Sequence, residues 1–125
     1  MELIDEIEEL IMMHQEGPYW DFKREWYDDS KDGDLLIDII CMANNLVDRD
    51  AYIIIGVNEE CDYAIQDVSQ DANRRNTQML TDFIRGKKFA GDFRPVVTVE
   101  QVHLDGGLVD VIVVHNSINL SLIHI

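Results

Sequence analysis

Apolar and polar positions along this chain change their period several times, and each change marks an element. In residues 2–14, Leu3, Ile4, Ile7, Leu10 and Ile11 recur at helical spacing, with Glu2, Asp5, Glu6, Glu8 and Glu9 largely off that stripe. The spacing predicts an amphipathic helix whose early acids suit the helix dipole. Gly17-Pro18 breaks the pattern. Residues 19–27 then alternate, with Trp20, Phe22 and Trp26 on one side and Tyr19, Asp21, Lys23 and Glu25 on the other. That reads as a half-buried strand with a polar outward row.

Residues 28–33 read as a loop, and Asp34 as the N-cap of a second helix with the stripe Leu36, Ile39, Ile40, Ala43 and Val47. Residues 51–57 are almost wholly apolar and rich in Ile, as expected of a central strand covered on both faces. An acidic loop fills 58–70. Asp71 caps a third predicted helix with Met79, Leu80, Phe83 and Ile84 inward and Gly86 at its stop. Residues 95–104 and 108–115 read as two strands joined by the short turn Asp105-Gly106-Gly107. The order is α-β-α-β-α-β-β. It predicts an α+β domain: a mixed sheet of about four strands with helices packed on it. No internal repeat or linker interrupts it.

Composition adds limits. A chain of 125 residues at 46% hydrophobic suits one domain with a real core, here 1–119. No apolar run approaches the roughly 20 residues that span a bilayer. The acidic N-terminus is the opposite of a secretory or mitochondrial presequence. Cys41 falls in an apolar helix and is expected in the core; Cys61 falls in a polar loop, and neither has metal-ligand spacing. Free thiols and the missing presequence predict a reducing, cytoplasmic setting without membrane attachment. The tail Leu120-Ser-Leu-Ile-His-Ile125 matches the translation of a transposon mosaic end used in sequencing libraries. Residues 120–125 are therefore expected to be foreign, and the natural chain to continue into a further C-terminal part.

Net charge is −15, which repels a polyanion at long range. The charge is uneven. Residues 1–70 carry 19 acids against 4 bases, while 71–94 carry 3 acids against 6 bases: Arg74, Arg75, Arg85, Lys87, Lys88 and Arg94. That segment is either a nucleic-acid contact, with Phe89 as a ring for stacking, or a solvated helix face with a basic last turn.

Three pieces in sequence carry a resemblance: Glu16-Gly-Pro-Tyr-Trp-Asp21-Phe22-Lys23, the helix end Cys41-Met-Ala-Asn44-Asn45, and Tyr52-Ile-Ile-Ile-Gly56-Val57-Asn58-Glu59-Glu60. Together they resemble the Schlafen AlbA-like domain over roughly residues 12–117. The resemblance implies a nucleic-acid-binding domain of a bacterial regulator, with DNA or RNA as partner, and allows a homodimer. It also brings an alternative, the metal-dependent endoribonuclease of some Schlafens. In that reading Glu16, Asp21 and Glu59 are the catalytic and metal-binding acids, with Asn58 the competing match for the third position. Converging carboxylates repel one another, and hard oxygen ligands suit Mg2+ or Mn2+, which relieves the repulsion. Glu16 can join Asp21 only if Gly17-Pro18 bends the chain, because five residues of regular strand point to opposite faces. Lys23 is a point charge for phosphate or a salt-bridge partner of its neighbours. The family's glycine-rich turn after Ala-Asn is replaced here by Asn45-Leu46-Val47-Asp48-Arg49-Asp50, so Asn44 and Asn45 are expected as helix-end caps. A protein-interaction domain is the third reading, favoured by the overall acidity. His14, His103 and His115 lack zinc spacing.

Overall fold

The structure is a computed structural model and describes residues 2–45, 47–87 and 95–115. Its elements are helix α1 (Leu3–Met12), strand β1 (Trp20–Lys23), helix α2 (Asp32–Ala43), strand β2 (Ala51–Ile55), a ribbon of β3 (Val57–Asn58) and β4 (Ala64–Ile65), helix α3 (Thr77–Arg85), and strands β5 (Val97–Leu104) and β6 (Gly107–Val114). The four-stranded sheet runs β1-β2-β6-β5. β1 pairs parallel with β2, while β2–β6 and β6–β5 are antiparallel, so the sheet is mixed as expected. The β3–β4 ribbon is an addition inside what reads as an acidic loop.

Both faces are covered, which explains the unbroken apolar run of β2: all five of its residues are buried. Ala51, Ile53 and Ile55 face α2 and α3, together with Leu35, Ile39, Leu80, Ile84 and Ile112. Tyr52 and Ile54 face α1, with Ile7, Leu10, Ile11, Trp20 and Phe22. Each such fully buried aliphatic side chain contributes about 2 kcal/mol of transfer free energy.

Local details depart from the sequence reading. Trp26 lies beyond the four-residue β1 and packs on the α2–α3 face, opposite Trp20 and Phe22. Helix α2 starts before Asp34 and buries Leu35 rather than Leu36, with Val47 exposed. Asp28 caps the preceding turn through Ser30 N (2.9 Å). Cys41 is exposed, because α2 turns that position away from the sheet. Asn76, not Asp71, caps α3, accepting from Met79 N at 2.8 Å, and Met79 is exposed on the outer side. Asp71 instead accepts the Trp26 backbone N–H at 2.9 Å. The Asn44-Asn45 end does cap α2: Asn45 Nδ2 donates to the Met42 and Arg49 carbonyls at 3.0 and 2.8 Å, and its Oδ1 accepts from Val47 N at 3.1 Å.

Asp110 is the buried acid of the molecule's centre, on inner strand β6 and 1% exposed. It faces the α2–α3 side by strand alternation with Ile112 and Leu108. A charge there is tolerated only when paired and fully hydrogen-bonded. Arg74 supplies a two-pronged pair, Nε to Oδ2 at 2.9 Å and Nη2 to Oδ1 at 3.0 Å, and Trp26 Nε1 donates to Oδ2 at 2.8 Å.

Candidate metal and nucleic-acid site

β1 is an edge strand, and the candidate site forms along it. Three short segments meet there. The first is the loop after α1. His14 adopts a left-handed backbone (φ +51°), and Trp20 Nε1 donates to the Gln15 carbonyl at 2.8 Å. Gly17 N–H donates to the Trp20 carbonyl at 3.2 Å. The Trp20 indole lies directly over Gly17, where an added Cβ would sit 2.1 Å from Cη2. The chain therefore folds back on itself between Gln15 and Trp20, which is the bend Glu16 needs to rejoin Asp21.

The second segment is β1 itself. Trp20 and Phe22 go into the α1-side core, and alternation sends Asp21 and Lys23 to the α2 side. The third segment follows β2. Gly56 takes φ +115°, its N–H donates to the Lys23 carbonyl at 2.7 Å, and the chain turns into β3. Asn58 Oδ1 then caps the turn by accepting from Glu60 N at 3.0 Å. That occupies Asn58 and leaves Glu59 as the acid that reaches β1.

One carboxylate oxygen from each of Glu16, Asp21 and Glu59 lies within 4.8 Å of the other two. The loops carrying the outer two acids are tied together. His14 stacks on Tyr63 with ring centroids 4.7 Å apart, His14 Nδ1 lies 3.5 Å from Asp62, and Tyr63 packs edge-on against Phe22. Asp62 and Tyr63 are both left-handed (φ +57° and +59°). Non-glycine residues held there store strain of about 1–3 kcal/mol each and collect at functional sites.

The electrostatics follow from burial. Asp21 has a side chain 13% exposed, and its pKa is pushed up to about 6 by desolvation first and by the hydrogen bond and charge of Glu16 next, against the pull of Lys23. Lys23 Nζ lies 3.6 Å from Asp21 and 3.4 Å from Asp38. Burial lowers the Lys23 pKa, but these two carboxylates outweigh it and hold the ammonium above its ordinary value. Tyr27 donates its hydroxyl to Asp38 at 2.6 Å; burial and that bond raise its pKa far beyond any working pH.

The donor set fits a hard divalent cation. All three ligands are carboxylate oxygens; neighbouring ligands around an octahedral Mg2+ stand about 3 Å apart, so the three side chains would draw together by rotamer adjustment on taking up the ion. Among the described residues no other group of three or more His, Cys, Asp or Glu could hold a metal ion.

The basic residues are placed differently. Arg74 is committed to Asp110. Arg75 is nearly buried, pairs with Asp32 at 2.6 Å and lies over the Phe83 ring. Arg85 pairs with Asp82 at 3.4 Å on the exposed side of α3, and Lys87 Nζ sits 4.7 Å from the centre of the Phe83 ring. α3 packs on β5, the opposite edge of the sheet from β1 and about 14 Å away at usual strand spacing. Lys88, Phe89 and Arg94 lie outside the described residues, as do 116–125. So Lys23 is the expected base that stands beside the acids.

Sequence reasoning missed Asp38, Tyr27 and Arg24. Asp38 carried a signal: it is a lone acid among Ile37, Ile39 and Ile40. Arg24 gave none: it is one charged residue among several between β1 and α2.

Three acids and a lysine thus gather along the edge strand of a sheet covered on both faces. The model of the Schlafen, AlbA_2 family matches residues 16–123, and the chain belongs to that family. No curated protein matches the chain. Family membership is consistent with a nucleic-acid-binding domain. No helix among the described residues is long and apolar enough to cross a membrane.

Proposed function

We propose that this domain binds nucleic acid at the β1 edge, with a divalent cation held by Glu16, Asp21 and Glu59 joining the acidic surface to the phosphodiester. The convergence of three carboxylate oxygens within 4.8 Å carries this reading. A chain of net charge −15 repels phosphate, and a divalent cation at the cluster would offset most of the charge of its three acids and offer a phosphate oxygen an open coordination position.

The same cluster favours a second reading, metal-dependent cleavage of RNA. A bound Mg2+ or Mn2+ supplies Lewis-acid polarisation of a phosphoryl oxygen. The chain's own residues do the rest. Lys23, held between Asp21 and Asp38, offsets part of the acids' charge, and the Tyr27 hydroxyl fixes Asp38. Without the cation, burial and Glu16 push the Asp21 pKa up to about 6, so metal uptake would be coupled to loss of that proton.

Incubation of structured RNA with Mn2+, wild type beside Asp21→Asn, separates the readings on a denaturing gel combined with a gel-shift. Cleavage by wild type alone makes the domain a nuclease. Mn2+-dependent retention of intact RNA by wild type alone makes it a binding module. If neither protein cleaves or retains RNA or DNA, both readings fall.

A further inference from the structure

We propose that Arg24 and Lys31 form a second phosphate-binding subsite, which takes the nucleic-acid backbone next to the phosphate held at the Glu16–Asp21–Glu59 cluster. This rests on the reading of the β1 edge as a nucleic-acid surface. The chain has 10 Lys and Arg residues, and all but Lys88 and Arg94 are described. Nearly all of these have spent their charge within the molecule. Lys23 is held by Asp21 and Asp38, Arg49 by Glu6, Arg74 by Asp110, Arg75 by Asp32 and Arg85 by Asp82. Lys87 lies over the Phe83 ring. Arg24 and Lys31 are both exposed, and among the described residues neither side chain has a hydrogen bond, close ion pair or ring contact, although Lys31 lies near enough to Asp28 to join the Ser30 side chain in lowering that carboxyl's pKa.

These two cations share one cleft. It encloses about 430 Å³, and Arg24, Lys31, Tyr27, Ile37 and Asp38 line it. Arg24 also lines the neighbouring cleft of about 480 Å³, together with Asn58, Glu59 and Glu60. Arg24 therefore borders both the cleft beside Glu59 and the cleft that holds Lys31. Neither cation is tied to a carboxylate by a close ion pair among the described residues, so both are available to an external anion, Lys31 less so because Asp28 lies within its field.

The walls also define what is read. Trp26 and Tyr27 are buried and offer no ring for stacking, and the exposed apolar group is Ile37, at 60%. With charge but no aromatic platform, the cleft contacts backbone phosphate and tolerates any base sequence. Glu25 and Asp34 share the walls and limit the attraction, so binding here is weak and salt-sensitive.

The test is fluorescence anisotropy of a labelled single-stranded oligonucleotide over a salt series with Mn2+. It compares wild type, Arg24→Gln/Lys31→Gln, Arg85→Gln/Lys87→Gln and Asp21→Asn. Each phosphate contact on a single strand contributes about 0.7 to the log–log salt slope, so losing two flattens the slope by about 1.4 and weakens binding about 25-fold at 0.1 M salt. Both replaced side chains are exposed and, among the described residues, make no hydrogen bond or close ion pair, so little folding stability is at stake. An unchanged slope and affinity in the Arg24/Lys31 variant overturn the subsite, while loss in Asp21→Asn keeps the cluster reading. A loss confined to the Arg85/Lys87 variant also overturns it and moves the surface to the α3 end. The Arg24/Lys31 effect persisting while Asp21→Asn binds like wild type upholds the subsite and removes the cluster. If wild type binds no oligonucleotide, both fall.

Discussion

Replacing Asp21 by Asn reads the electrostatic state of the cluster directly. Its folded-state pKa of about 6 stands against an ordinary 3.8, with burial the largest cause and Glu16 the next. A raised carboxyl pKa means that the folded chain holds the proton more tightly than the unfolded chain does. The resulting stabilisation is complete below about pH 4 and is lost as pH rises through about 6. Two pKa units at 1.36 kcal/mol each put the cost of the ionised carboxylate at about 3 kcal/mol near pH 8. The attraction of Lys23 is already included in that pKa. Asn carries no charge, and its Oδ1 still accepts the Phe22 N–H that Asp21 holds at 2.9 Å.

Urea unfolding at several pH values from about 4 to 8 gives the difference in stability between the two proteins. Asp21→Asn is expected to be more stable by about 3 kcal/mol at the alkaline end, with the advantage vanishing at the acidic end. Using the difference cancels the contributions of the other acids. Mn2+ at about a hundred times its dissociation constant restores about 2.7 kcal/mol to wild type and little to the variant. A pH-independent difference, or a variant less stable at pH 8, refutes the placement of Asp21 in a desolvated acidic cluster.

Two further outcomes follow from packing. Asp110→Ala leaves the Arg74 guanidinium and the buried Trp26 indole N–H without their shared acceptor; a loss of about 3–5 kcal/mol in urea unfolding is expected, and a loss below about 1 kcal/mol would show the network to be dispensable. Gly17→Ala forces a methyl group into the Trp20 ring and displaces the Glu16 loop; Mn2+ titration followed by indole fluorescence should show at least several-fold weaker binding and a fold weaker by about 1–3 kcal/mol, and wild-type behaviour would refute the fold-back of that loop.

The layout of the fold was legible because period is a local property. β2 is buried on both faces and reads as an unbroken run; α1 is buried on one and reads as a stripe. What failed were choices between adjacent residues that tertiary packing decides. Leu35 and Leu36 are chemically equivalent, and only the sheet selects Leu35. Asp71 and Asn76 can both cap a helix, and Asp71 is drawn off by the backbone of Trp26. The acids of the site were named from sequence by resemblance to a known family, yet their meeting was not derivable from spacing. It depends on an indole lying over Gly17 and on a left-handed clasp between His14 and Tyr63, both contacts between segments. The ion pairs of Arg74 and Arg75, two of the six bases of the 71–94 segment, were hidden for the same reason: their carboxylate partners are 36 and 43 residues away in the chain.

The distribution of charge therefore has a different sense in space than along the chain. The basic segment 71–94 stands out in sequence, but its first two arginines neutralise a buried and a surface acid and hold β6 and α2 to α3. The β1 edge looks the least hospitable to a polyanion, since Glu16, Asp21, Glu59 and Asp38 all gather there. Yet it is where charge remains unspent. Asp21 stays ionised near neutral pH only against its own desolvation, a conflict that a cation resolves better than a proton does. Arg24 borders two clefts here, one lined by Glu59 and the other by Lys31. On the proposed reading, a phosphate chain approaching this edge without a cation would meet repulsion, and with one it would meet the cation together with Arg24 and Lys31. Association should then depend on divalent cation concentration more steeply than on the net charge of the protein, because the cation changes the local field over a few ångströms while the remaining acids are screened beyond about 10 Å at 0.1 M salt.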